Sequence, residues 1–149
     1  DVTQLTTNAE ATDFPGAWSK DGKQIIFSSD RDGDTEIFIM DSDGSNTRQI
    51  TTNEDNDNIP SLSPDGKQIA FYSDRDGDYE IFVTNIDGTE VRQLTTNPAG
   101  DFDPKWSGDG NLISFTSDRY GEEEIFIMNT DGTNVISTGV AGYTLAWIK

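Results

Sequence analysis

Apolar residues along this chain fall in short clusters: IIF at 25–27, EIFIM at 36–40, QIAFY at 68–72, EIFV at 80–83, LISF at 112–115 and EIFIM at 124–128. Between them lie stretches dominated by Asp, Gly, Asn and Thr. No cluster is long enough for a helix or carries a 3.6-residue period, so the pattern predicts many short strands joined by tight turns. The clusters are apolar on both faces. Ile25 and Phe27 project opposite Ile26, and Ile37 and Ile39 project opposite Phe38 and Met40. A sandwich sheet exposes one face and alternates apolar with polar residues. Strands apolar on both faces predict sheets covered on both sides.

The clusters recur. SSDRDGDTEIF at 28–38 returns as YSDRDGDYEIF at 72–82 and as TSDRYGEEEIF at 116–126, a spacing of 44 residues both times. Gly22, Gly66 and Gly110 keep the same offset, as do Trp18, Leu62 and Trp106, and RQITTN at 48–53 returns as RQLTTN at 92–97. The opening TQLTTN at 3–8 lies one position out of register. Within the second repeat the strands are expected at Ile59–Leu62 (A), Gln68–Ser73 (B), Glu80–Asn85 (C) and Val91–Thr95 (D). Asp-Gly at the hairpins supplies the positive φ that tight turns require. Four strands in a period of the forties predict an all-β fold of β-propeller blades. The blades are expected at 13–52, 57–96 and 101–138, with orphan strands at 2–6 (a D strand) and 143–148 (an A strand). Trp18, Trp106 and Trp147 read as inter-blade packing rather than as a ligand shelf.

Charge narrows the partners. Ten basic residues against 28 acidic ones give −18, which argues against nucleic acid and anionic membrane. No apolar run reaches the length of a membrane-spanning helix. The chain has no cysteine and no histidine, which removes disulfides and the Ser-His and Cys-His catalytic arrangements. Carboxylates recur at equivalent places in every blade, as structure repeats and as a single active site does not. The expectation is a non-catalytic protein.

The sequence also resembles a known family. Pro60, then Ser63-Pro64-Asp65-Gly66-Lys67-Gln68-Ile69-Ala70-Phe71, Ser73-Asp74-Arg75, Glu80-Ile81-Phe82, Asp87-Gly88-Thr89 and Arg92-Gln93-Leu94-Thr95 carry a likeness to the TolB-like, WD-related β-propeller repeat. The third repeat departs with Gly108 at the turn proline's place and with Tyr120-Gly121-Glu122 in its B–C loop. The resemblance implies a ring of six or seven blades, exported to the periplasm or cell surface, that works as a protein- or ligand-binding platform. Some relatives join such a ring to a peptidase or use it in polysaccharide breakdown. The alternative is therefore a calcium-binding propeller module of a carbohydrate-active or peptidase-associated protein.

About three and a half blades do not close a ring, because propellers need at least four. The abrupt start on a D strand reads as a cut, and the Trp-Ile-Lys ending as a natural terminus. The expected first partner is a second copy of the chain, in a dimer that brings six full blades together. Two sites suggest themselves. Asp30, Asp32 and Asp34, echoed by Asp74, Asp76 and Asp78, place alternating carboxylates on a glycine-bearing turn, where they either gather on a Ca²⁺ ion or serve an ordinary hairpin. The D–A loops feed the innermost strand near the central funnel. Asp57, Asp101, Phe102 and Asp103 are therefore the expected surface for a protein or small-ligand partner.

Overall fold

Short apolar runs punctuated by Asp-Gly turns build twelve antiparallel strands among the residues that the computed structural model describes, 2–144. The first blade comprises β1 (Asp13–Trp18), β2 (Gln24–Ser29), β3 (Glu36–Asp41) and β4 (Arg48–Gln49). The second comprises β5 (Asp57–Leu62), β6 (Gln68–Ser73), β7 (Glu80–Asn85) and β8 (Arg92–Gln93). The third comprises β9 (Asp101–Trp106), β10 (Leu112–Ser117), β11 (Glu124–Asn129) and β12 (Ile136–Ala141). Each blade is a sheet whose spatial order follows the chain, so hairpins make every connection within it.

The inner strand of each blade is interrupted by a bulge. Pairing in the second blade jumps from Asn58↔Tyr72 to Ser61↔Ala70, and Ile59 is left at φ 41°. The third blade repeats this at Asp103, with φ 51°. The outer strands β4 and β8 are shorter than expected because a side chain replaces their ladder. The Thr95 hydroxyl accepts from the Ile81 amide at 2.9 Å, as Thr51 accepts from Ile37 at 3.0 Å.

The core lies between blades rather than within one. Ile26, Ile37, Ile39 and Ile50 of the first blade pack against Ile69, Phe71 and Phe82 of the second. Ala70, Ile81 and Val83 on the other face of the second blade pack against Trp106, Ile113, Phe115, Phe126 and Met128 of the third. Phe71 and Phe115 are fully buried, and burial of each such side chain stabilises the fold by about 1.5–3 kcal/mol. A third cluster, Phe27, Phe38 and Met40, lies on the far face of the first blade with Leu5 and Ile25 against it.

The expected terminal strands are realised differently. Residues 2–7 form no strand, because a D strand pairs with the C strand of its own blade and none lies beside it among the described residues. At the other end the Gly142 amide donates to Glu123 O at 2.9 Å, as Asp57 donates to Thr35 and Asp101 to Tyr79. Gly142 thus takes the place from which the next inner strand would start. From residue 145 onward the expected strand at 143–148, with Trp147, lies outside the described residues.

Successive blades approach closely at the C–D turns. A Cβ on Gly88 would stand 2.3 Å from the Ile50 carbonyl oxygen of the preceding blade, whereas one on Gly66 would meet nothing within 4 Å. Both glycines have positive φ, 84° and 73°. Gly66→Ala is expected to lose only the backbone term, about 1–2 kcal/mol. Gly88→Ala must also push two blades apart and is expected to lose clearly more. Urea unfolding of the two variants measures the difference.

Candidate functional site

The loops at the D–A end of the strands are organised around an arginine that each blade repeats. In the second blade, Arg75 lies over the rings of Phe71 and Phe82, with its Cζ 5.5 and 4.8 Å from their centroids. Its Nε donates to Ser73 Oγ at 3.0 Å, and its Nη2 donates to both oxygens of Asp57 at 2.7 and 2.8 Å. Arg119 repeats the arrangement with Phe115, Phe126, Ser117 and Asp101, and Arg31 with Phe27, Phe38, Ser29 and Asp13. The planar guanidinium fits both the aromatic faces and the carboxylate.

Asparagine carries this clamp across to the neighbouring blade. Asn53 Nδ2 donates to Asp57 Oδ2 at 2.9 Å and to Glu36 Oε1 at 3.1 Å. Glu36 also accepts from the Asn53 amide and from the Thr51 hydroxyl. Glu80, Asn97, Asp101 and Arg119 form the same chain between the second and third blades. Burial pushes Glu36 up to about 8 and Glu80 up to about 7, with Asp57 and Asp101 adding repulsion while the Thr and Asn donors oppose the rise. At the far edge of the third blade Glu124 accepts from Ser137 Oγ and the Gly139 amide instead.

These contacts reassign several residues expected at a partner surface or a metal site. Asp57 and Asp101 are completely buried and locked to arginine, so neither offers its carboxylate to a partner. Asp30 accepts from the Thr12 amide at 2.6 Å, and Asp74 accepts from the Asn56 amide at 2.8 Å, so both cap the preceding D–A loop. Asp32 and Asp76 accept from Gln49 and Gln93 on the outer strands. Asp34 is half-buried and held above its ordinary value, first by burial and then by Asp32. Asp78 is half-buried at the matching position. Alternate carboxylates therefore turn toward different neighbours. Among the described residues no three acidic side chains gather as calcium ligands must.

Phe102 and Asp103 are half-buried beside the bulge of β9. The Phe102 ring meets Tyr72 at 5.6 Å and Tyr79 at 5.4 Å, and the two tyrosines meet each other edge-on at 5.4 Å. Burial raises the Asp103 carboxyl while Lys105 pulls it down, and burial lowers the Lys105 ammonium against the pull of Asp103. The Tyr72 hydroxyl is pushed up to about 12 by burial, with Asp103 contributing. Sequence reasoning missed Tyr72, Tyr79 and Lys105. Their signal was a break in the repeat, since positions 72 and 79 are Ser28 and Thr35 in the first blade and Thr116 and Glu123 in the third. The arrangement provides an aromatic patch beside an opposite-charge pair, which is recognition chemistry.

The clamp yields an internal comparison. The Asp57 side chain is 0% exposed, whereas that of Asp13 is 18% exposed. Arg75→Ala strands a buried charge and is expected to cost about 3–5 kcal/mol. Arg31→Ala leaves a carboxylate that water can reach and is expected to cost clearly less. Guanidinium unfolding of both variants checks the order.

Comparison with known proteins agrees with this architecture. The family model described as TolB beta propeller domain matches residues 1–71 and 56–146. A TolB-type structure from Agrobacterium tumefaciens is 30% identical with a TM-score of 0.81, over 89% of this chain and 50% of that one. TolB from Acinetobacter baumannii is 28% identical with a TM-score of 0.75, over 85% of this chain and 32% of that one. The chain thus spans half the length of the first and about a third of the second. A Mycobacterium tuberculosis puromycin-hydrolyzing peptidase shares the fold alone, at 15% identity and a TM-score of 0.72, over 93% of this chain and 23% of that one. With its 44-residue blades and the arginine clamp that each repeats, this chain belongs to the TolB β-propeller domain family.

Proposed function

We propose that this chain is a non-catalytic binding module. It completes a propeller ring with further blades of its own kind and presents the patch of Tyr72, Tyr79, Phe102, Asp103 and Lys105 to a protein or small-ligand partner. Its repeated carboxylates support a structural rather than a catalytic use, because Asp13, Asp57 and Asp101 all serve the same clamp. The family likeness supports a place in the periplasm or at the cell surface.

One observation carries the assembly. The first blade presents Trp18, Ile25, Phe27, Phe38 and Met40 on its far face, and the third presents Trp106, Ile113, Phe115, Phe126 and Met128 at the equivalent positions. The two sets are identical residue for residue. In the third blade the set is packed on the second blade and Trp106 is 8% exposed, whereas Trp18 is 58% exposed. The molecule itself therefore contains the template for what covers Trp18: the rear face of another blade. On the third blade that rear face offers Ile125 and Ile127, equivalent to the buried Ile81 and Val83. The two ends differ, so copies join head to tail, and two chains of three blades make the smallest closed set.

Light scattering over a range of concentrations tests this reading. The expected result is a dimer that Trp18→Asp converts to a folded monomer. A wild-type chain that stays a well-folded monomer throughout would contradict it.

A further inference from the structure

Two buried carboxyls meet beneath the aromatic patch. Glu80 opens β7 and is 1% exposed, while Asp101 opens β9 and is completely buried. Both accept from Asn97 Nδ2, at 3.5 and 2.8 Å. The two carboxyls also share a hydrogen bond with each other. Ionised carboxylates only accept, so such a bond forms only when one of the pair carries a proton. The surroundings decide which one. Asp101 is bound through both oxygens to Arg119 Nη2, at 3.0 and 2.9 Å, whereas Glu80 is held by neutral donors, Asn97 and the Thr95 hydroxyl. The proton therefore belongs to Glu80.

The pair sits between two rings of the patch. Tyr79 immediately precedes Glu80, and Phe102 immediately follows Asp101. The Asp101 amide donates to the Tyr79 carbonyl at 2.7 Å, and the Tyr79 and Phe102 rings meet at 5.4 Å. Whatever separates Glu80 from Asp101 therefore pulls on both rings. The first junction repeats the pair as Glu36 and Asp57, but there the flanking residues are Thr35 and Asn58. At the edge of the third blade Glu124 accepts from Ser137 and Gly139, and Gly142 takes the place of the aspartate. The junction of the second and third blades thus joins a carboxyl pair to aromatic rings.

We propose that the proton between Glu80 and Asp101 is a switch: while Glu80 holds it the junction is closed and Tyr79 stays on Phe102, and when it leaves for solvent two buried carboxylates repel and the rings part. Burial, against the pull of the Thr95 and Asn97 donors, pushes Glu80 from 4.5 up to about 7, and Asp101 adds to the rise. The other titratable groups around the pair are Arg119 on Asp101, and Tyr72, Tyr79, Asp103 and Lys105 in the patch, with Glu123 acting on Asp103. Because the folded value of Glu80 lies above the unfolded one, its contribution to stability is complete below about 4.5 and is lost as pH rises through about 7. As a property of the junction the switch stands by itself. As regulation of binding it rests on the role proposed for the patch, which keeps its shape in mildly acidic medium and loosens in alkaline medium.

Carboxyl-carbon NMR of the whole chain across the mildly acidic to alkaline range tests the proposal, with Glu80→Gln identifying the Glu80 resonance. In the wild-type chain this carboxyl is expected to titrate near pH 7, and the nuclear Overhauser contact between the Tyr79 and Phe102 rings is expected to fade over the same interval. In Glu80→Gln the side-chain amide keeps a donor toward Asp101 at every pH, so the ring contact is expected to persist in alkaline medium. Should Glu80→Gln fail to fold, the wild-type ring contact followed against pH decides the matter. A Glu80 carboxyl that titrates at its ordinary 4.5, or rings that stay together once Glu80 has lost its proton, overturns the proposal. So does a folded Glu80→Gln whose rings part with pH as they do in the wild type. Neither readout uses a partner or a second copy, so failure of the switch is told apart from failure of the binding and assembly readings.

Discussion

Two buried carboxylates, Asp57 and Asp101, set the terms on which the blades pack. Each begins the inner strand of its blade, and each is completely desolvated. A charge in that position is tolerable only if it is paired and its remaining lone pairs are satisfied. Arg75 and Arg119 provide the pairing from the B–C loops, resting on two phenylalanine rings that the strands place side by side. Asn53 and Asn97 supply the remaining donors and, by also reaching Glu36 and Glu80, tie one blade to the previous one. The apolar faces provide the bulk of the attraction between blades. The polar chain fixes their register, because it closes only when loop, inner strand and neighbouring C strand are all in place.

Most of this architecture is legible in the 44-residue repeat. Periodicity placed the B and C strands of the second blade residue for residue, and apolar character on both faces distinguished a blade from a sandwich. The inner strand begins two residues earlier than expected, at Asp57, because the polar Asp57 and Asn58 carry no apolar signal although they are fully paired. The residue types of the clamp were visible as a repeating Ser-Asp-Arg. Its partner was not, because Asp57 lies 18 residues before Arg75 and only the fold brings them together. The same distance hid the fate of the turn carboxylates. Asp30 and Asp74 look like metal ligands in a line of sequence, yet they bond the amides of preceding loops.

The patch proposed for partner binding lies where the repeat is broken. Positions that repeat faithfully, such as the arginine clamp and the Asp-Gly turns, are used alike in each blade and build the frame. Tyr72, Tyr79 and Phe102 come together only between the second and third blades, where one rigid frame holds three rings in mutual contact. The junction of the second and third blades therefore carries individual character at the mouth that holds these rings, while its middle remains generic core.

If the clamp makes neighbouring blades one cooperative unit, native-state hydrogen exchange must register it. The Asn53 and Asn97 amides, which donate to Glu36 and Glu80, lie in loops but belong to the inter-blade chain. They are expected to exchange only through global unfolding, with the same protection as the amides of Phe71 and Phe82 in the core strands. Exchange of the two asparagine amides by local opening, while the core strands stay protected, would refute the cooperative clamp.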